Sequence, residues 1–269
     1  MSTGQLKAPS GQITVAAVPG EKFVRLSQAG HLLSLEFQPL AAADIQPQSW
    51  TLPIASLPHL LTGGGLQSAT GMRVESDRTI VLTGSGISVA ADAGTAIVSG
   101  SLDVSSPPYP GGEQRGVGGS VNVLGDKVGL LGAFINASGT NGGGTVLVGG
   151  DYQGKGTVPN ATQTFVSSDS TINADALSLG DGGRIIVWAN QSTGFFGNIS
   201  ARGGSFNGNG GKVEVSGKEA LNYSGTVDLL SADGQRGTLL LDPKFIIITP
   251  VGAAPVLGNS LFAPPMAAW

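Results

Sequence analysis

The amino-acid sequence predicts an all-β fold, a parallel solenoid interrupted by loop excursions, and three observations carry that expectation. First, one short phrase is written four times: Gly118-Gly119-Ser120-Val121-Asn122-Val123, Gly143-Gly144-Thr145-Val146-Leu147-Val148, Gly182-Gly183-Arg184-Ile185-Ile186-Val187 and Gly210-Gly211-Lys212-Val213-Glu214-Val215. Second, another phrase answers each copy: Ile135-Asn136-Ala137, Ile172-Asn173-Ala174, Ile199-Ser200-Ala201 and Val227-Asp228-Leu229. The offset is 14 residues in three copies (121 to 135, 185 to 199, 213 to 227) and 26 in the other (146 to 172), which therefore carries 12 extra residues. Third, no helical period lies between the phrases. A repeat of roughly 25–28 residues suits one solenoid coil better than a propeller blade of ~40–45.

Successive side chains of a strand point to opposite faces. Val121 and Val123, like Val213 and Val215, thus face one way, and Asn122 and Glu214 the other, as in a strand half buried and half wet. The glycine pairs are expected at turns that need positive φ. Two or three such strands cannot bury their apolar face alone, but stacked copies make a continuous core. A β-sandwich also has many short strands and turn signals, yet it does not require sequence identity at a fixed spacing.

Taken in order, residues 1–40 hold strand candidates at 13–15, 22–26 and 32–37, with turns at Pro19-Gly20 and Ala29-Gly30-His31. A Pro-rich excursion spans 39–70, broken by Pro39, Pro47, Pro53 and Pro58 and ended by Gly63-Gly64-Gly65. Strands resume at 78–83, 87–89 and 96–104, and the Pro- and Gly-rich 105–119 reads as an outward loop. The clearest repeats occupy 118–241, with an insertion at about 152–163. Leu147 and Ile186 break the wet outer face, and two stacked apolar outward positions call for a cover. The insertion after Leu147 is expected to fold back over both. Phe245-Ile246-Ile247-Ile248 begins a last strand, so 1–249 reads as a single β-helix followed by an apolar, non-repeat tail at 250–269.

Composition narrows the function classes. Glycine supplies 44 of 269 residues and charged residues only 12%, against ~7% and ~25% in ordinary soluble domains. Ser, Thr, Asn and Gly do the solvating. The net charge of −4 without any basic run argues against nucleic-acid partners. No cysteine is present, so neither disulfides nor Cys-ligated metal can form. Met1 to Gln12 is polar and lacks an apolar core, so no signal peptide is expected in that stretch, and no run approaches the ~18 apolar residues of a membrane span.

Several stretches are recognisable together: Gly11-Gln12-Ile13-Thr14-Val15-Ala16-Ala17-Val18-Pro19-Gly20, Leu61-Thr62-Gly63-Gly64, Leu82-Thr83-Gly84-Ser85-Gly86-Ile87 and Gly119-Ser120-Val121-Asn122-Val123-Leu124-Gly125. More specific still are Asp151-Tyr152-Gln153-Gly154-Lys155-Gly156, Gly182-Gly183-Arg184-Ile185-Ile186-Val187-Trp188-Ala189, Gly197-Asn198-Ile199-Ser200-Ala201-Arg202-Gly203-Gly204 and Leu239-Leu240-Leu241-Asp242-Pro243. Over residues 10–249 the sequence resembles the block that follows the secretion domain in large exported proteins of the filamentous haemagglutinin type, especially those of cyanobacteria. The resemblance implies a right-handed parallel β-helix exported by two-partner secretion, with an outer-membrane transporter as partner of the parent protein. It also implies a secreted or cell-surface adhesin or haemagglutinin, with surface glycans or other cells as candidate ligands. The family's secretion domain, with its Asn-Pro-rich motifs, should precede this block, so the chain reads as a middle piece: a fragment, a split gene or a truncated copy.

No catalytic, cofactor or metal residue is expected. His31 and His59 lie outside the repeats, with no Gly-x-Ser-x-Gly setting for a triad. Some parallel β-helices are polysaccharide lyases or hydrolases, and a glycosidase needs two carboxylates roughly 5–10 Å apart. Here the outward slots read Asn122, Leu147, Ile186, Glu214 and Asn136, Asn173, Ser200, Asp228, so no two acids stack. The loop residues Asp151, Asp169, Asp175 and Asp181 stay unplaced. Gly180-Asp181-Gly182-Gly183 and Gly208-Asn209-Gly210-Gly211 lack the nine-residue calcium spacing and read as structural turns. Asn160-Ala161-Thr162 fits the N-glycosylation triplet, which arises often by chance. Tyr152, Trp188, Phe195 and Phe196 are expected to pack at rung ends, a sugar platform being the alternative. The functional expectation is a non-catalytic structural rod segment of an adhesin-like protein. A carbohydrate-active β-helix enzyme and a non-functional truncated remnant are the alternatives.

Overall fold

The structure is a computed structural model that describes residues 4–17, 24–27, 34–37, 71–74, 79–83, 87–90, 94–106 and 116–244. His31, His59, the 39–70 excursion, most of the loop at 105–119 and everything after Lys244 lie outside the described residues.

Three parallel sheets wind around one core. The first stacks β1 (Gln5–Lys7), β9 (Ser101–Asp103), β12 (Phe134–Asn136), β15 (Thr171–Asn173), β18 (Asn198–Ser200) and β21 (Thr226–Asp228). The second stacks β2 (Gln12–Ala16), β10 (Ser120–Leu124), β13 (Thr145–Val148), β16 (Arg184–Ala189), β19 (Lys212–Gly217) and β22 (Thr238–Leu240). The third stacks β8 (Thr95–Val98), β11 (Lys127–Leu130), β14 (Gln163–Val166), β17 (Ser192–Phe195) and β20 (Ala220–Tyr223). The chain visits first, second and third sheet in turn, and every pair in these sheets is parallel. The fold is a parallel β-helix, as the repeats predict, with three strands to a coil. The segment read as one strand over 96–104 divides into β8 and β9.

Between β2 and β8 the pairing changes. β3 (Val24–Ser27) and β4 (Ser34–Phe37) form an antiparallel pair, and β5 (Gly71–Val74), β6 (Thr79–Thr83) and β7 (Ile87–Ala90) an antiparallel meander. The period-2 patterns there identified strands but carried no sign of their direction.

Register explains the core. Ile13, Val121, Val146, Ile185, Val213 and Leu239 occupy one column of the second sheet. Leu102, Ile135, Ile172 and Ile199 form the matching column of the first. From Val121 to Ile185, and from Leu102 to Ile172, these side chains are wholly buried. Each stabilises the fold by about 1.5–3 kcal/mol relative to exposure. The third sheet is less regular: Ala96, Val128, Thr164, Thr193 and Leu221 share a column. Thr164 and Thr193 are buried because their hydroxyls donate to the carbonyls of Trp188 and Ser216, both at 2.7 Å.

The glycine pairs work differently from the expectation. None of the eight glycines in the four pairs has a left-handed φ. What excludes a side chain is the approach of neighbouring backbone. A Cβ on Gly144 would sit 2.1 Å from the Gly119 carbonyl oxygen, on Gly183 2.2 Å from that of Gly144, and on Gly211 2.2 Å from that of Gly183. At this column each coil rests directly on the one below. The N–H of Gly183 donates to Ala174 O at 2.7 Å within the coil, and Arg184 N–H donates to Gly144 O at 2.9 Å across coils.

Candidate functional site

In three coils the corner from second to third sheet is two residues: Gly125-Asp126, Asn190-Gln191 and Lys218-Glu219. Between β13 and β14 it opens into residues 149–162, a flap closed at its neck by Ala161 N–H donating to Gly149 O at 2.6 Å. Asp151 starts a single 3-10 turn, Tyr152–Gly154, by accepting the Tyr152 N–H at 2.6 Å. Inside that turn Gln153 adopts a left-handed conformation (φ 55°, ψ 26°). Asn160 ties the flap to itself, its Nδ2 donating to Gly154 O at 2.7 Å. The side chain of the apparent glycosylation triplet is thus engaged in holding the flap.

The flap covers the apolar outward positions. Leu147, Ile186 and Trp188 form a buried cluster with Val158 packed on it. Gly154 lies flat on the indole: a Cβ there would be 2.6 Å from Trp188 Cζ2. The Arg184 guanidinium reaches up to the Asp151 carboxylate. The cover expected from Leu147 and Ile186 therefore exists, and it extends one coil further.

That extension corrects the expectation for Glu214. It occupies the outward slot of β19, next to Ile186 and Leu240 in register, but it is fully buried instead of wet. Its Oε2 accepts the backbone N–H of Gln153 at 2.9 Å, while Oε1 has no hydrogen-bond partner. Burial raises the carboxyl above the ordinary Glu value. The Gln153 N–H and the Ser216 hydroxyl act against that rise, Asp242 adds to it and Arg184 opposes it. The sequence pattern showed the slot but not the reach of the flap, which leaves β13 and covers a position two strands along the sheet.

Beside the flap lies a cleft of about 380 Å³, bordered by Gln153, Lys155, Trp188, Asn190, Lys218 and Lys244. The other positions singled out by sequence scatter. Asp169 accepts the Ser167 hydroxyl, Asp175 the Ser200 hydroxyl and the Arg202 N–H, and Asp181 the backbone and side-chain N–H groups of Asn209. Register keeps Asn136, Asn173, Ser200 and Asp228 in one outward column. Arg202 bridges to Asp228, and this hydrogen bond holds the Asp228 carboxyl below the usual range and raises Arg202. Phe195 is buried against Tyr223, with ring centroids 5.4 Å apart, and Phe196 packs on Phe165 at 5.6 Å. With Trp188 under the flap and Tyr152 exposed, the four aromatics form no shared platform. Among the described residues no group of three or more His, Cys, Asp or Glu could hold a metal ion, and no helix is long and apolar enough to cross a membrane.

No protein-family model and no curated protein matches the chain. Among solved structures it is similar to the crystal structure of the HMW1 secretion domain from Haemophilus influenzae, at 31% identity and a TM-score of 0.42. The similarity covers 55% of this chain and 37% of that one, so the chain spans little more than a third of the length of the structure it matches.

Proposed function

We propose that the chain is a non-catalytic rod segment of an exported, surface-displayed protein of the adhesin type, delivered by a two-partner secretion transporter. The observation that supports it most is the unbroken register of the second sheet from β2 to β22. Stacked coils of this kind grow by repetition and project whatever they carry along one direction. The outward columns display no stacked carboxylates. The resemblance of residues 10–249 to haemagglutinin-type blocks supplies the export route and the adhesive role. Ligands, here surface glycans or other cells, would meet exposed edges such as the cleft beside the flap.

Fractionation of the native organism with an antibody to residues 118–241 tests the proposal. The expected result is a band much larger than the 26.9 kDa of this chain, lost when intact cells are treated with protease. A band confined to the cytosol refutes surface display. Turnover on a panel of acidic and neutral polysaccharides would refute the non-catalytic role.

A further inference from the structure

We propose that the 149–162 flap is a lid latched by Glu214, closing over Leu147, Ile186 and Trp188 when that carboxyl carries a proton and loosening when it is ionised. Glu214 has no solvent exposure. One of its oxygens holds the flap through the Gln153 N–H and the other is unpartnered. The Ser216 hydroxyl on the same face of β19 favours the ionised form without completing a hydrogen bond to that oxygen, so an ionised carboxylate here is costly to keep from water, whereas the neutral acid is much less so. Because Glu214 points to the flap side of β19, lifting the flap brings water to it. The latch also grips the flap at its strained residue, because Gln153 is held in a left-handed conformation that non-glycine residues adopt at a cost.

The surrounding charges set the balance. On β16, Arg184 favours ionisation but its guanidinium is engaged by Asp151 of the flap. Beyond β22, Asp242 disfavours it. Lys155 of the flap, Lys218 of the β19–β20 turn and Lys244 border the adjoining cleft. Burial outweighs the favourable contacts, so the folded carboxyl titrates above its unfolded value. The closed lid is then fully favoured below the ordinary Glu pKa of about 4.3. It weakens as pH rises through the raised value.

Amide hydrogen exchange of residues 149–162 in the full chain tests the lid, comparing wild type with E214Q at each pH from 4 to 8 so that intrinsic exchange rates cancel. The wild-type to variant ratio is expected near one at pH 4, with wild type exchanging on the order of threefold to tenfold faster at pH 7. A ratio independent of pH overturns the proposal. So does a rise in exchange shared by β16 and β19, which would mark general unfolding. D242N gives a second reading that keeps Glu214 in place: removing that charge is expected to move the wild-type midpoint to lower pH, and an unmoved midpoint overturns the assignment.

Discussion

Replacing Gly183 by alanine tests why the repeat is written with glycine pairs. The new Cβ would lie 2.2 Å from Gly144 O and 2.7 Å from the Ala174 Cβ. Both neighbours are backbone or buried, so the coils must separate. Separation breaks Arg184 N–H to Gly144 O and strains Gly183 N–H to Ala174 O. A net hydrogen bond contributes about 1 kcal/mol, and each buried group left unpaired costs about 1–3 kcal/mol. With the donor and the acceptor of one bond left unpaired, the expected loss is about 2–6 kcal/mol, read as a lower guanidinium midpoint in far-UV circular dichroism. Gly129 is the control, because a Cβ there meets nothing closer than 3.8 Å. Alanine at that position should be neutral or stabilise by up to about 1 kcal/mol. G183N separates the two explanations for glycine: asparagine tolerates left-handed φ but cannot relieve a backbone clash. Equal stability of G183A and G129A, or rescue by G183N, would refute the close-approach argument.

Other expectations follow from the same geometry. I185A removes a wholly buried side chain from the central column and should cost about 2–5 kcal/mol in denaturant unfolding. D228N removes the Arg202 bridge on an exposed face and should cost less than ~1 kcal/mol. Because the folded Asp228 carboxyl is depressed, what it contributes is present above its unfolded pKa and fades as acid titration passes through the folded value. Comparing wild type and D228N between pH 7 and pH 2 checks that sign. Q153G relieves the left-handed strain at φ 55° and should slow hydrogen exchange in the flap, corresponding to about 1 kcal/mol.

Two of the three sheets were legible in the sequence because their inner columns are uniformly aliphatic and because three of the four repeat copies keep the same offset between them. The third was not. Thr164 and Thr193 occupy its core column and Gly129 and Gly194 its outer one, which blurs the alternation that marks a strand. Those threonines are tolerated inside only because carbonyls of the second sheet receive their hydroxyls. The site was half legible. Leu147 and Ile186, apolar where the repeat is polar, announced a cover. Glu214 gave the opposite signal, since a carboxylate in an outward slot normally reads as wet, and its burial depends on a contact made 61 residues away. The glycine pairs show the same division: sequence marks the position, and only backbone proximity shows the reason.

Among the described residues two coils depart from the two-residue corner between second and third sheets: 149–162 follow β13, and residues 17–94 separate β2 from β8 in the sequence. In both cases the strands on either side keep the register of coils whose corner is two residues long. Closing a longer loop adds only about 0.6 kcal/mol per doubling of length, and neighbouring coils already fix where the chain must re-enter. This edge is therefore a port through which lineage or laboratory can thread new segments without renegotiating the scaffold. Foreign epitopes grafted at Asn190-Gln191 or Lys218-Glu219 would leave the rod on one side and in a known order along its axis.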